Sequence, residues 1–218
     1  MAVNKRKEST DIKKRTIITY SHPESRIAEQ FRMIQTNIKF MLSGKKSQTF
    51  LVTSPCGSEG KSTIITNLAV SMAQQKKKVL LIDANLRKPA LHSFFKLPNT
   101  NGLTDVLTGR QSFTEAVYHT EIWRLDLLTS GSITHNPVEL LSSQLMLDLL
   151  DKVKQQYDVI LIDSNAVLEV SDSKLIANQS DGVILVVKND HTKFEDAIEA
   201  KKVLELAKAH IVGVVVNK

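Results

Sequence analysis

Short runs of Val, Ile and Leu alternate along this chain with longer stretches whose apolar residues recur every three or four positions. The runs at Thr49 to Thr53, Lys78 to Ile82, Leu125 to Thr129, Val159 to Ile162, Gly182 to Val187 and Ile211 to Val216 are nearly continuous in apolar side chains. That pattern predicts strands covered on both faces. Between them, Pro137 to Tyr157 carries a stripe of Val138, Leu141, Leu145, Leu149 and Val153, and Lys193 to Ala207 is also helical in period. Each is long enough for a crossover, so the expected architecture is α/β, a mostly parallel sheet with helices on both faces. In such sheets ligands bind beyond the carboxyl ends of the strands. Ahead of the first strand, Pro23 opens a pattern with Ile27, Phe31, Ile34, Ile38 and Met41 on one side, which predicts an amphipathic helix over 23–43, ended by Gly44 and the polar Lys45 to Gln48. Residues 1–22 read as a flexible basic arm and 23–218 as one domain.

Composition narrows the class. A chain of 218 residues has room for one full core, and 42% hydrophobic with 24% charged residues is ordinary for a globular protein. No stretch approaches the roughly 18 to 20 apolar residues of a spanning helix, and the polar N-terminus has no signal-like segment, so a cytoplasmic chain is expected. The single cysteine, Cys56, cannot close an intramolecular disulfide. Much of the +6 net charge comes from Lys5, Arg6, Lys7, Lys13, Lys14 and Arg15. Such a cluster is either a solvated arm or a contact for an anionic membrane, where each charge contributes about 1 kcal/mol. No helix-turn-helix or zinc pattern accompanies it, so no nucleic-acid partner is expected. The six histidines, His92, His119 and His135 among them, lack ligand spacing, and Trp123 beside Arg124 reads as a packing residue.

The chemistry concentrates after the first strand, in Ser54-Pro55-Cys56-Gly57-Ser58-Glu59-Gly60-Lys61-Ser62-Thr63. A strand, a glycine-bearing loop and a helix in that order form a phosphate cradle: backbone amides and the positive helix end face the anion. Residues Gly57, Ser58, Glu59, Gly60, Lys61, Ser62 and Thr63 are the candidate nucleotide-binding segment, with Lys61 on the phosphates and the Ser62 hydroxyl on Mg²⁺. The strict pattern has a glycine where Pro55 stands. Two further strands end in acids, Asp83 and Asp163. Alone, each could be a turn or cap residue. Beside Lys61 they suit a metal bound to nucleotide phosphates and a base for a hydroxyl nucleophile.

With these motifs the chain resembles the bacterial tyrosine kinases, a branch of the P-loop NTPases that also include the partitioning and cell-division-site ATPases. The resemblance spans about Glu24 to Asn217. It rests on Gly60 to Thr63, Asp83-Ala84-Asn85-Leu86-Arg87-Lys88-Pro89, Gly102-Leu103-Thr104, Thr129-Ser130-Gly131 and Asn136-Pro137-Val138-Glu139-Leu140-Leu141. The partitioning branch carries an extra lysine where this chain has Cys56.

The resemblance implies ATP and Mg²⁺ as cofactors, with Lys61, Asp83 and Asp163 catalytic. Asp83 would accept the tyrosine proton, and Ser62, Asp83 and Asp163 would serve the metal. Asn85 would meet the nucleotide and Asn217 the adenine. It also implies control of capsular or exopolysaccharide synthesis, tyrosine-bearing protein substrates, a separate transmembrane activator acting through its cytoplasmic tail, and a homo-oligomeric ring aided by a Glu-x-x-Arg-x-x-Arg helix. Here that helix reads Glu29-Gln30-Phe31-Arg32-Met33-Ile34-Gln35. Three further departures are Asn85 for an Asp, Asn165-Ala166 for a proline pair, and only Tyr20, Tyr118 and Tyr157 as tyrosines, with none clustered at Lys218. An ATP-binding regulatory subunit and a partitioning-type ATPase are the alternative readings.

Overall fold

The structure is a computed structural model that describes residues 17–41 and 47–218, with side chains omitted at 39–41. The basic cluster of Lys5 to Arg15, the polar break from Gly44, and the Met41 side chain lie outside the described residues. Among the described residues seven strands form one sheet: β1 (Gln48–Thr53), β2 (Val79–Asp83), β3 (Tyr118–His119), β4 (Leu125–Leu128), β5 (Val159–Asp163), β6 (Gly182–Lys188) and β7 (Ile211–Asn217). Their order is β3-β4-β2-β5-β1-β6-β7, parallel throughout except for β3 against β4. The six expected strands are all present to within a residue at either end. The two-residue β3 is too short to show a period in sequence.

The strands are buried because both faces are apolar. In β2, Leu80 and Ile82 enter one core while Val79 and Leu81 enter the other; β5 divides Ile160 and Ile162 from Val159 and Leu161 in the same way. Successive side chains of a strand point to opposite faces, so a continuous apolar run serves two layers at once. One layer holds α1 (Ile18–Ser21), α2 (Arg26–Met41), α3 (Lys61–Gln74) and α4 (Leu91–Phe95). The other holds α5 (Leu103–Leu107), α6 (Phe113–Ala116), α7 (Pro137–Leu141), α8 (Gln144–Lys154), α9 (Asp172–Gln179) and α10 (Phe194–Leu206).

The structure departs from the sequence expectation in two places. Residues 17–22, expected at the end of the arm, lie against the body: the Thr19 N–H and hydroxyl both donate to Asn67 Oδ1 at 3.0 Å, and Thr19 is buried. The helix expected over Pro137 to Tyr157 breaks at Ser142 and Ser143, where the Ser143 hydroxyl caps α8 by accepting the Met146 N–H. The break changes the buried face. Met146, Leu149, Leu150 and Val153 are inside, whereas Val138 and Leu145 of the expected stripe are exposed.

The far edge of the sheet is held by a buried polar group. The Tyr157 hydroxyl donates to Asp126 Oδ2 at 2.7 Å, and His119 Nδ1 sits 2.7 Å from Asp126 Oδ1. Burial, then the Asp126 hydrogen bond, pushes the Tyr157 phenol well above its ordinary range. Tyr157→Phe deprives a largely buried carboxylate of a donor. The expected cost is about 1 to 3 kcal/mol, read as a lower urea midpoint at unchanged slope.

Candidate phosphate-binding site

The loop from Ser54 to Gly60 leaves β1 at its carboxyl end and turns into α3. Gly60 takes the left-handed conformation at φ 91°, and a Cβ there would lie 2.2 Å from Asn217 Nδ2. Both facts require glycine. Pro55 is tolerated where the strict motif has glycine: it is buried, and its carbonyl accepts the Leu168 N–H. The loop borders a cleft of about 710 Å³ lined by Gly57, Ser58, Gly60, Lys61, Ser62 and Thr63 on one side and by Asn85, Lys88, Asn165 and Glu169 on the other.

Lys61 is buried and donates from Nζ to Ser54 Oγ at 2.8 Å. Burial lowers its pKa, and Asp163 first among the nearby acids acts against that. The Ser62 hydroxyl donates to Asp163 Oδ2 at 2.6 Å. Asp163 is fully buried, and among the described residues its Oδ1 has no hydrogen-bond partner. Burial, then the Asp83 carboxylate, pushes the Asp163 carboxyl up to about 7; the Ser62 hydrogen bond and Lys61 pull the other way.

Asp83 and Asp163 are directly paired residues at the ends of β2 and β5. Asp83 accepts backbone N–H groups from Asn85 (3.2 Å), Ala90 (2.9 Å) and Leu91 (2.9 Å), which ties the β2–α4 turn to the strand end. Lys61, Ser62, Asp83 and Asp163 therefore gather at one end of the sheet. The residues fit a Mg·nucleotide: an orphaned buried carboxylate oxygen beside a serine hydroxyl suits a hard cation, and the glycine-shaped loop suits phosphate.

Two of the candidate residues, Glu59 and Asn217, do not line this cleft. The Glu59 side chain is buried away from the cleft, where its carboxylate accepts from the Thr192 hydroxyl and the Cys56 N–H. A carboxylate is a poor phosphate neighbour, and here it shapes the loop instead. Asn217 lies outside the cleft. Its Nδ2 donates to the Glu59 carbonyl at 3.0 Å, and it lines a second groove between α2 and β7.

Sequence reasoning missed Glu169, Lys88 and the bidentate pair of Arg87 with buried Asp172, at 2.9 and 3.1 Å. Glu169 has no motif around it. Lys88 and Arg87 were visible within the Asp83 to Pro89 segment, but without a partner. The Gly102 and Thr129 motifs prove to be one structural joint outside the cleft, where Leu103 N–H donates to Thr129 O and Thr104 N–H to Ser130 O.

A family model described as an AAA domain matches residues 47–210. The tyrosine-protein kinase YwqD of Bacillus subtilis is 43% identical over 93% of this chain and 86% of its own length. The chain belongs to the bacterial tyrosine kinase family. A crystal structure of the chimerical protein CapA2B2 superposes at a TM-score of 0.89 with 36% identity, covering 92% of this chain and 88% of that one. The septum site-determining protein MinD of Pyrococcus horikoshii, solved with Mg-ADP, reaches 0.67 at 26% identity over 78% and 70% of the two chains.

Within this tyrosine kinase family, two of the chain's departures are physically linked. Asn165 Nδ2 donates to Asn85 Oδ1 at 2.8 Å across the cleft floor, and the same oxygen accepts the Lys88 N–H. A neutral amide pair thus joins the turns after β2 and β5. Gln35, at the last position of the Glu29 to Gln35 segment of α2, is buried against α3, where it accepts from the Ser71 hydroxyl.

Gly60→Ala should weaken Mg·ATP binding at least tenfold by calorimetry, because the methyl group must displace Asn217 and strain the backbone. Asp163 generates a pH effect. In the folded chain it holds its proton up to about 7, against an ordinary value of 3.8. The folded state binds the extra proton between those limits, so Asp163 makes stability fall as pH rises through that window, with no further loss above it. Urea midpoints at pH 5 and pH 8 should differ more for the wild type than for Asp163→Asn.

Proposed function

We propose that this chain is an ATP-dependent protein-tyrosine kinase acting in capsular or exopolysaccharide synthesis. The observation that carries the reading is the convergence of Lys61 and the Ser62–Asp163 pair, with its partnerless buried oxygen, on a glycine-shaped loop at one end of the sheet. When bound, Mg·ATP would supply the transferable phosphoryl group, and its Mg²⁺ the positive charge that the paired carboxylates Asp83 and Asp163 call for. Gly57, Ser58 and Gly60 offer the cradle, and Lys61 neutralises phosphate charge. Ser62 and Asp163 would hold the metal. Asp83, fixed by three backbone amides, is assigned the proton of the attacking tyrosine hydroxyl. Catalysis of this kind is mostly positioning and charge neutralisation. The groove beside Asn217, lined by Ile18, Phe31 and Val215, is assigned to the adenine.

The chain works, in this reading, at the inner face of the cell membrane with a separate transmembrane activator, whose cytoplasmic tail switches it on, and as a ring of copies. Among the described residues no helix is long and apolar enough to cross a membrane. A second reading is a regulatory subunit that binds ATP without transfer. The neutral Asn85–Asn165 pair favours it, since an amide gives the metal no charged ligand.

Incubation with ATP, Mg²⁺, the activator tail and a tyrosine-bearing substrate should yield phosphotyrosine. Lys61→Met should reduce the signal by on the order of 10²-fold or more. Asp83→Asn should retain ATP binding and lose transfer. ATP binding with no phosphotyrosine under any of these conditions would leave only the regulatory reading.

A further inference from the structure

The segment between β5 and α9 crosses the mouth of the phosphate loop. The Val167 N–H donates to Ser54 O at 2.8 Å and the Leu168 N–H to Pro55 O at 3.3 Å, so these residues are zipped onto the start of the loop. This register sets Glu169 opposite Gly57, whose N–H donates to Glu169 Oε1 at 2.7 Å. The approach is close: a Cβ on Gly57 would lie 2.9 Å from that oxygen. Glu169 is itself exposed and lines the cleft with Lys61, Ser62 and Asn85. Its carboxylate thus rests on an amide of the cradle, in the manner of an anion.

A phosphate oxygen and a carboxylate oxygen make the same demand on a backbone N–H, and the Gly57 amide has one hydrogen to give. We infer that Glu169 competes with the nucleotide's phosphates for the Gly57 amide and thereby sets nucleotide affinity. The inference rests on the proposal that this cleft binds ATP. Entry of the phosphates requires the glutamate to leave its amide and to tolerate added negative charge. Because Glu169 is exposed, it can swing into water at little cost. Its return refills the amide as the phosphates leave, so the empty loop does not carry a bare donor, and product release is favoured. Glu169 also adds negative charge near Lys61, helping to keep that lysine charged against its burial.

The contact and the charge can be separated by substitution. Glu169→Gln removes the charge and leaves a neutral oxygen that accepts the Gly57 N–H more weakly, whereas Glu169→Asp keeps the charge on a side chain one methylene shorter and loses the contact. Calorimetry on the whole chain with Mg·ATP, magnesium tripolyphosphate and adenosine is the test. Glu169→Gln should bind both phosphate ligands about three- to tenfold more tightly than the wild type, with adenosine unchanged. Glu169→Asp should follow Glu169→Gln more nearly than the wild type, since its carboxylate no longer reaches Gly57. Unchanged or weaker phosphate binding by Glu169→Gln overturns the inference, as does an equal gain for adenosine. An aspartate variant indistinguishable from the wild type also overturns it, because only distant charge would then matter. A wild type and Glu169→Gln that both fail to bind either phosphate ligand would instead overturn the ATP reading of the cleft.

Discussion

Two carboxylates stand side by side at the ends of adjacent parallel strands, and much of the site answers to that constraint. Asp83 and Asp163 are both fully buried and directly paired across β2 and β5. Like charges in that setting disfavour joint ionisation, so each needs donors or cations nearby. Asp83 takes backbone amides from the turn that follows its own strand. Asp163 takes the Ser62 hydroxyl and the field of Lys61, both from the first turn of α3, and one of its oxygens is left without a hydrogen bond. The sheet order places β5 between β1 and β2, so the loop after β1 and the acid after β2 flank the same aspartate.

The loop that faces these acids is held from outside by distant parts of the chain. Asn217, at the end of β7, supports the Glu59 carbonyl; Thr192 holds the Glu59 carboxylate; Val167 and Leu168 pair with Ser54 and Pro55. Such support holds the loop in shape while the Gly57 amide meets the Glu169 carboxylate at the cleft. Glu59 and Glu169 illustrate opposite uses of the same side chain, one buried as a brace and one exposed at the mouth of the cradle. The amide pair of Asn85 and Asn165 gives the floor opposite the loop a fixed but uncharged character.

What the sequence by itself determined is the architecture and the residues that the fold brings together at the candidate site. Continuous Val, Ile and Leu runs can be buried only between two layers, and a glycine-bearing loop between a strand and a helix has few other uses, so the sheet, Gly60, Lys61, Ser62, Asp83 and Asp163 were legible. Tertiary structure alone decided which side chains meet across long sequence gaps. Glu169 against Gly57, Glu59 against Thr192, Arg87 against Asp172 and Asn165 against Asn85 are separated by 112, 133, 85 and 80 residues, and no local period encodes them. The break of the Pro137 to Tyr157 helix had a local cause, the Ser143 cap, yet its effect on the buried face was settled by packing. Periodicity reports how a segment is buried; partners depend on strand order, and strand order is a property of the whole fold.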